Sequence, residues 1–296
     1  MKRSYFNLNE KNQLFEELKK NPLWWKKLKE VDKLYFNIRK NNRINVYYRG
    51  ASIMSLNWKE GKIVAEIHNY YLGYEKKMCD DLHIKYGNMI LRPEEIICRL
   101  PTIMKRVEAN KKNVACLEGE EINGKNYSSE KYIQSEIYLG NNQYIDTEFA
   151  LSLDDGTAIR IDLVRVNKEG EIQFEELKLI DDDRLDPAKY KNKEVEIKRQ
   201  MDSYEQFLKE AAKLRGTENE PILVEYYNKV INIMDKIGIR KYTEPIVGVS
   251  YYVQLTIKQN YTKRHTKRDD RVERVYKSCR GFHSNIEKVR EEYYKL

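Results

Sequence analysis

Three apolar segments follow one another between Tyr144 and Ile180, YIDTEFALSL, TAIRIDLVRV and EIQFEELKLI, and each sets acidic residues among core-forming ones. Strands flanked by Ile, Leu, Val and Phe are covered on both faces, and an inward carboxylate there is costly unless a positive partner meets it. A bound metal ion is one such partner. Asp154-Asp155-Gly156 separates the first two segments and Asn167-Lys168-Glu169-Gly170 the last two. Both are turn signals, so the segments are predicted to form successive antiparallel hairpins.

Register follows from those turns. Pairing Leu153 with Thr157 sets Glu148 against Asp162, and pairing Asn167 with Glu171 sets Asp162 against Glu176. Because side chains alternate with period two, Lys178 points with Glu176 while Leu177 points the other way. In that register Glu148, Asp162, Glu176 and Lys178 share one patch.

Asp162 followed by Glu176-Leu177-Lys178 resembles the acidic residue and Glu-x-Lys tripeptide of the PD-(D/E)XK nuclease superfamily, with a hairpin between them. Further on, Gln200-Met201-Asp202-Ser203-Tyr204 is similar to the Gln-x-x-x-Tyr motif of the RecB-like branch. Ile161 stands where the family signature has Pro. The resemblance spans roughly residues 130 to 260. It implies an α/β (α+β) fold, a restriction-endonuclease-like mixed β-sheet flanked by helices. It also implies a metal-dependent nuclease that hydrolyses phosphodiester bonds of DNA, in repair, restriction or mobile-element defence.

In that family setting Asp162 and Glu176 hold Mg2+ or Mn2+, with the carbonyl of Leu177 as a further ligand. Lys178 positions the water or stabilises transition-state charge, and Gln200 and Tyr204 orient the DNA backbone or Lys178. For the third acid, family precedent favours a helical glutamate, which is Glu136 ahead of Glu130 on a predicted helix from Ser128 to Leu139. The hairpin register favours Glu148, and an unpaired buried carboxylate at that place costs several kcal/mol. Glu148 is therefore expected to matter more than Glu136. Two other classes stay open: a catalytically inactive nucleic-acid-binding module on the same fold, and a partner-binding scaffold.

The chain has 296 residues, 41% of them hydrophobic, enough for one substantial core or two modest ones. No apolar run approaches the roughly 18 residues of a membrane span, and the first residues are rich in Lys and Glu, so a cytoplasmic protein is expected. Cys79, Cys98, Cys116 and Cys279 lie far apart, which signals neither a zinc ribbon nor a disulfide framework. The iron-sulfur cluster of some RecB-like nucleases uses one early and three late cysteines, a distribution this chain does not have. His68, His83, His265 and His283 are isolated and read as structural.

A net charge of +8 fits a polyanionic partner. In the tail, Arg264, Lys267, Arg268 and Arg271 with nearby Tyr261 and Tyr276 suit nucleic-acid binding. A solvated helix, with Asp269, Asp270 and Glu273 offsetting the charge, fits equally well.

A domain boundary is expected in the polar stretch from Gly119 to Ser129. It separates residues 1–125, an N-terminal accessory region of helices and a β-hairpin, from the nuclease-like residues 126–296. In the first part Trp24, Leu28, Val31, Tyr35 and Ile38 recur at helical spacing, and Ile44 to Tyr71 reads as a small meander broken at Gly50 and Glu60-Gly61. A helix from Arg92 to Lys111 is expected to be interrupted at Pro101. In the second part a helix capped by Gly216, a helix through Tyr227 and Ile237, and one strand starting at Pro245 follow the hairpins.

Overall fold

The computed structural model describes residues 6–83, 85–109, 121–122, 125–126, 130–152, 158–190, 195–217, 219–242, 244–258 and 266–295, with the backbone alone at 121, 122, 125, 126, 152, 158, 266–269, 293 and 295. Asn12 caps α1 (Gln13–Lys19) by accepting from the Leu14 N–H, and α2 (Leu23–Lys29) starts after Pro22. The helical stripe expected to reach Ile38 stops there. Lys33 takes a φ of +63°, and β1 (Leu34–Arg39) follows. Leu34, Tyr35, Phe36, Asn37 and Ile38 are all buried, which suits a strand covered on both faces and exceeds what one helix face can bury.

β1 opens an antiparallel meander with β2 (Arg43–Tyr48), β3 (Ala51–Lys59), β4 (Lys62–His68) and β5 (Asn88–Leu91), turning at Gly50 and at Glu60-Gly61 as expected. α3 (Lys76–Asp81) lies between β4 and β5. The interruption expected at Pro101 does not occur: α4 (Pro93–Ala109) continues through it. Pro101 faces outward, while Ile96, Leu100, Ile103 and Val107 anchor the helix on the core. β6 (Glu121–Ile122) and β7 (Lys125–Asn126) pair with each other.

The second sheet starts after α5 (Glu130–Gly140). β8 (Tyr144–Ser152), β9 (Ala158–Val166) and β10 (Glu171–Leu179) are antiparallel neighbours. The Asp154-Asp155-Gly156 turn lies outside the described residues, and Ser152 pairs with Ala158 across it. After β10 come α6 (Glu196–Lys213) and α7 (Ile222–Lys236), and the chain then returns to the far side of β10 in parallel. The single strand expected from Pro245 is split there into β11 (Gly248–Val249) and β12 (Gln254–Lys258), with exposed Tyr251 and Tyr252 between them. α8 (Thr266–Cys279) and α9 (Ile286–Lys295) close the chain. The fold is a mixed α/β one, with a helix before three antiparallel strands, two helices after them, and a parallel return.

α6 ends at Lys213, so Gly216 is not its cap. Gly216 makes room for Glu225 instead, since a Cβ there would stand 1.7 Å from Glu225 Oε2. One buried apolar cluster runs from Phe6 to Val289 and takes in both parts of the chain. Across the two parts, Trp25 Nε1 donates to the Ile237 carbonyl at 3.0 Å, the Asn37 amide meets Thr147 Oγ1 at 2.6 Å, and Arg39 pairs with Asp146. Among the described residues no helix is long and apolar enough to cross a membrane.

Candidate active site

Both hairpins adopt the expected register. Thr147 pairs with Leu163 and Phe149 with Ile161, which sets Glu148 opposite Asp162. Gln173 pairs with Arg165 and Glu175 with Leu163, so Asp162 and Glu176 are the next opposed residues. The β9–β10 ladder ends at that point. The Leu177 N–H donates to Asp162 Oδ2 at 3.0 Å, and β10 continues against β12 alone. An aspartate side chain thus takes over from backbone pairing and parts the two strands.

Glu176 and Lys178 follow the period of two, and their polar ends meet. Lys178 Nζ lies 2.5 Å from Glu176 Oε1, 3.4 Å from Asp162 Oδ2 and 3.7 Å from Glu130 Oε1, and it donates to the Leu177 carbonyl at 2.6 Å. The side chains of Lys178 and Glu176 are only 1% and 2% exposed. α6 buries Ile197, Met201, Tyr204 and Leu208 and carries Gln200 beside that stripe. Gln200 Nε2 donates to Glu176 Oε1 at 2.7 Å and to the Tyr204 hydroxyl at 2.6 Å, one helical turn away. The Tyr204 hydroxyl donates in turn to the Arg160 carbonyl. Asp162, Glu176, Lys178, Gln200 and Tyr204 therefore form one connected group.

Burial, reinforced by the charge of Asp162 and opposed by Lys178, pushes the Glu176 carboxyl up to about 8. Burial pulls Lys178 down, but Glu176, Asp162 and Glu130 outweigh it and hold the ammonium above its ordinary range. The Tyr204 hydroxyl is pushed up to about 12, by burial first and the Glu176 charge second, so it stays a proton donor at neutral pH. Glu176 Oε2 is buried and has no hydrogen-bond partner among the described residues.

Neither favoured third acid joins this group. Glu148 adopts a φ of +54°, and Ile161 and Val164 both enter the large core while Leu163 enters a small separate one with Tyr35, Tyr47, Tyr138 and Tyr144. Strict alternation is therefore broken around the Glu148–Asp162 pair. Glu148 turns to Lys131 and to Arg160, the latter at 2.6 Å. It is doubly paired, which removes the desolvation argument for a metal beside it. Glu136 pairs with Lys33 at 3.4 Å and is 39% exposed. The glutamate that faces Lys178 is Glu130, whose carboxyl is raised by burial. Six residues along an α-helix turn a side chain about 120° off the starting face and advance it about 9 Å, so Glu130 and Glu136 cannot serve one site. Gln134, one turn after Glu130, donates to the Asp162 carbonyl. That four-residue spacing was a readable signal for which face of the helix meets the strands.

Of the residues expected to bind nucleic acid, Arg264 lies outside the described residues, and Lys267 and Arg268 are described as α8 backbone only. Arg271 is turned inward. Its Nη1 stands 3.4 Å from Asp183 and its Nε donates to the Ile180 carbonyl at 3.3 Å, tying α8 to the loop that follows β10. The loop's own negative charges thus claim a side chain expected to face solvent.

The oxygens around Lys178 suit magnesium in kind. Asp162, Glu176 and the Leu177 carbonyl are hard donors, and magnesium is typically held by one or two carboxylates with water and phosphate completing its shell. Glu176 Oε2 is the orphaned buried atom such an ion would satisfy. Among the described residues no group of three Asp, Glu, His or Cys side chains is placed to hold an ion. A Glu176 oxygen, Asp162 Oδ2 and the Leu177 oxygen instead converge on the Lys178 ammonium. Comparisons with protein families, curated proteins and solved structures give no match to this chain.

Proposed function

We propose that the protein is a metal-dependent nuclease that hydrolyses phosphodiester bonds, with DNA as substrate, in repair, restriction or mobile-element defence. One observation carries this reading. A buried lysine, two acidic residues from neighbouring strands and a backbone carbonyl converge where the strands part, and a Gln-Tyr pair from α6 holds the glutamate. A lysine is costly to bury, and a site that keeps it charged among carboxylates has the mixed charge that phosphate chemistry uses.

Mg2+ or Mn2+ would be held by Asp162, Glu176 and the Leu177 carbonyl, and when bound it supplies Lewis-acid and water-activating chemistry. The protein's own residues do the rest. Gln200 fixes Glu176 through Oε1, while the buried Oε2 meets no hydrogen-bond partner among the described residues. Tyr204 anchors Gln200 to the backbone of β9. Lys178 brings a positive charge to the oxygens of the phosphorane, where negative charge builds up in the transition state. The described cysteines, Cys79, Cys98 and Cys279, are free thiols, as suits a cytoplasmic enzyme.

Nicking of supercoiled plasmid DNA in magnesium, against the same reaction in chelator, tests the activity. Conversion that requires the metal supports the reading, and its absence at all metal and DNA concentrations refutes it. A second reading, a nucleic-acid-binding module that does not cut, is favoured by the Lys178 ammonium itself standing where the Glu176, Asp162 and Leu177 oxygens converge. DNA binding without metal-dependent nicking would select that reading.

A further inference from the structure

A cavity of about 390 Å³ lies where the meander meets β8 and β9, next to the candidate active site. The two places are linked through Arg160, whose side chain lines the cavity beside Glu148 and whose backbone carbonyl accepts from Tyr204. Arg160 precedes Asp162 by two residues on β9, a separation of about 7 Å along a strand.

The walls combine two chemistries. Phe6, Phe149, Leu151, Ile159 and Tyr226 supply an apolar and aromatic side. Arg39, Lys40, Arg43 and Arg160 supply cations, of which Arg39 is met by Asp146 and Arg160 by Glu148. Arg43 is different. Its Nε is buried and meets no acceptor among the described residues, and the neighbouring Asn45 Oδ1 is buried without a donor. A guanidinium N–H left without an acceptor costs free energy that a bound anion returns. The volume is that of a small-ligand site. An aromatic wall, an uncommitted arginine and an unmet amide oxygen match a base and a phosphate on one small molecule.

We propose that this cavity receives one unpaired nucleotide of the substrate strand, its base against the aromatic wall and its phosphate on Arg43. The proposal rests on the nuclease reading for its biological meaning, and it gives that enzyme a preference for single-stranded or frayed DNA. A terminal phosphate and one internal to the strand share this chemistry.

The test is calorimetric titration of the full chain, without divalent metal, with thymidine 5′-monophosphate, thymidine and inorganic phosphate. The monophosphate is expected to bind at one saturable site, at least about tenfold more tightly than either part alone. Arg43→Gln is expected to weaken it about ten- to a hundredfold, the scale of one lost hydrogen bond to a charged group. Its circular dichroism and melting should match the unsubstituted protein. Absence of saturable monophosphate binding to the unsubstituted protein overturns the proposal, whatever the variant does. So does unchanged affinity in folded Arg43→Gln, or inorganic phosphate binding as tightly as the nucleotide. Thymidine 3′,5′-bisphosphate separates the two phosphate sources: tighter binding than the monophosphate marks an internal phosphate, and weaker binding a terminal one, each in support of the pocket. Binding here requires no cleavage. A protein that takes the nucleotide without nicking DNA supports the pocket and refutes the nuclease reading, and one that nicks DNA without taking the nucleotide does the reverse.

Discussion

The backbone N–H of Leu177 donates to Asp162 Oδ2 at 3.0 Å, where the β9–β10 ladder stops. The same oxygen stands 3.4 Å from Lys178 Nζ. Asp162 therefore has two duties, replacing a backbone acceptor and placing negative charge beside the lysine, and different substitutions separate them. Asp162→Asn keeps an acceptor for Leu177, so it should melt near the unsubstituted protein while losing metal-dependent cleavage. Asp162→Ala leaves the N–H unmet and should cost about 1–3 kcal/mol more stability. Thermal or urea unfolding of the two variants measures the difference, and equal stabilities would contradict the structural duty.

Glu130→Gln should lower cleavage about ten- to a hundredfold, the usual loss when a partner orienting a metal-site residue is removed. Glu136→Gln should leave the rate near its original value, because Glu136 pairs with Lys33 instead. Single-turnover rates of the two variants decide this, and a dead Glu136→Gln with an active Glu130→Gln would reverse the assignment.

The Glu176 carboxyl, raised by burial to about 8 from 4.5, gives a pH dependence of definite sign. Between those values the folded state holds a proton that the unfolded chain has released, so this group's contribution to stability falls as pH rises through the window. Binding of a divalent metal needs the carboxylate and expels that proton. Stabilisation by magnesium, read as a melting shift without DNA, should grow from pH 6 to pH 8 and level off above. Glu176→Gln should flatten the profile, and a magnesium effect independent of pH in the unsubstituted protein would count against Glu176 as a ligand.

At the other end of the loop after β10, Arg274 donates to both Asp186 oxygens at 3.0 and 2.9 Å and holds that carboxyl below its ordinary value. A depressed carboxylate contributes stability that is present above its unfolded pKa and lost as pH falls through the folded one. Hydrogen exchange in α8 should therefore quicken as pH drops below about 4, once corrected for intrinsic rates. Asp186→Asn should show the quickened exchange already at neutral pH. Protection in α8 that is the same in both proteins would show that packing alone holds the helix.

The hairpin register was readable in the sequence because turn chemistry and two-sided burial both constrain it, as the Phe149–Ile161 and Gln173–Arg165 pairs show. The grouping of Glu176 with Lys178 followed from alternation, and that of Gln200 with Tyr204 from helical spacing. Glu148 could not be placed the same way. Its left-handed backbone accompanies contacts to Lys131 and Arg160, and Lys131 belongs to a helix whose approach depends on the whole fold. Tyr35 and Ile38 continued a helical period by coincidence. The stretch is a hairpin strand, and only its contacts with distant residues, Tyr138 against Tyr35 and Thr147 against Asn37, reveal how fully it is buried. Arg271 faces inward because Asp183 and the Ile180 carbonyl, some ninety residues earlier, lie against α8.

The most direct test of the account is magnesium-dependent nicking of supercoiled DNA by the unsubstituted protein, Asp162→Asn and Lys178→Ala side by side, with folding of each checked by circular dichroism. Nicking is expected from the first in magnesium and not in chelator, and is expected to be lost in both folded variants. Undiminished turnover in either folded variant would contradict the nuclease assignment.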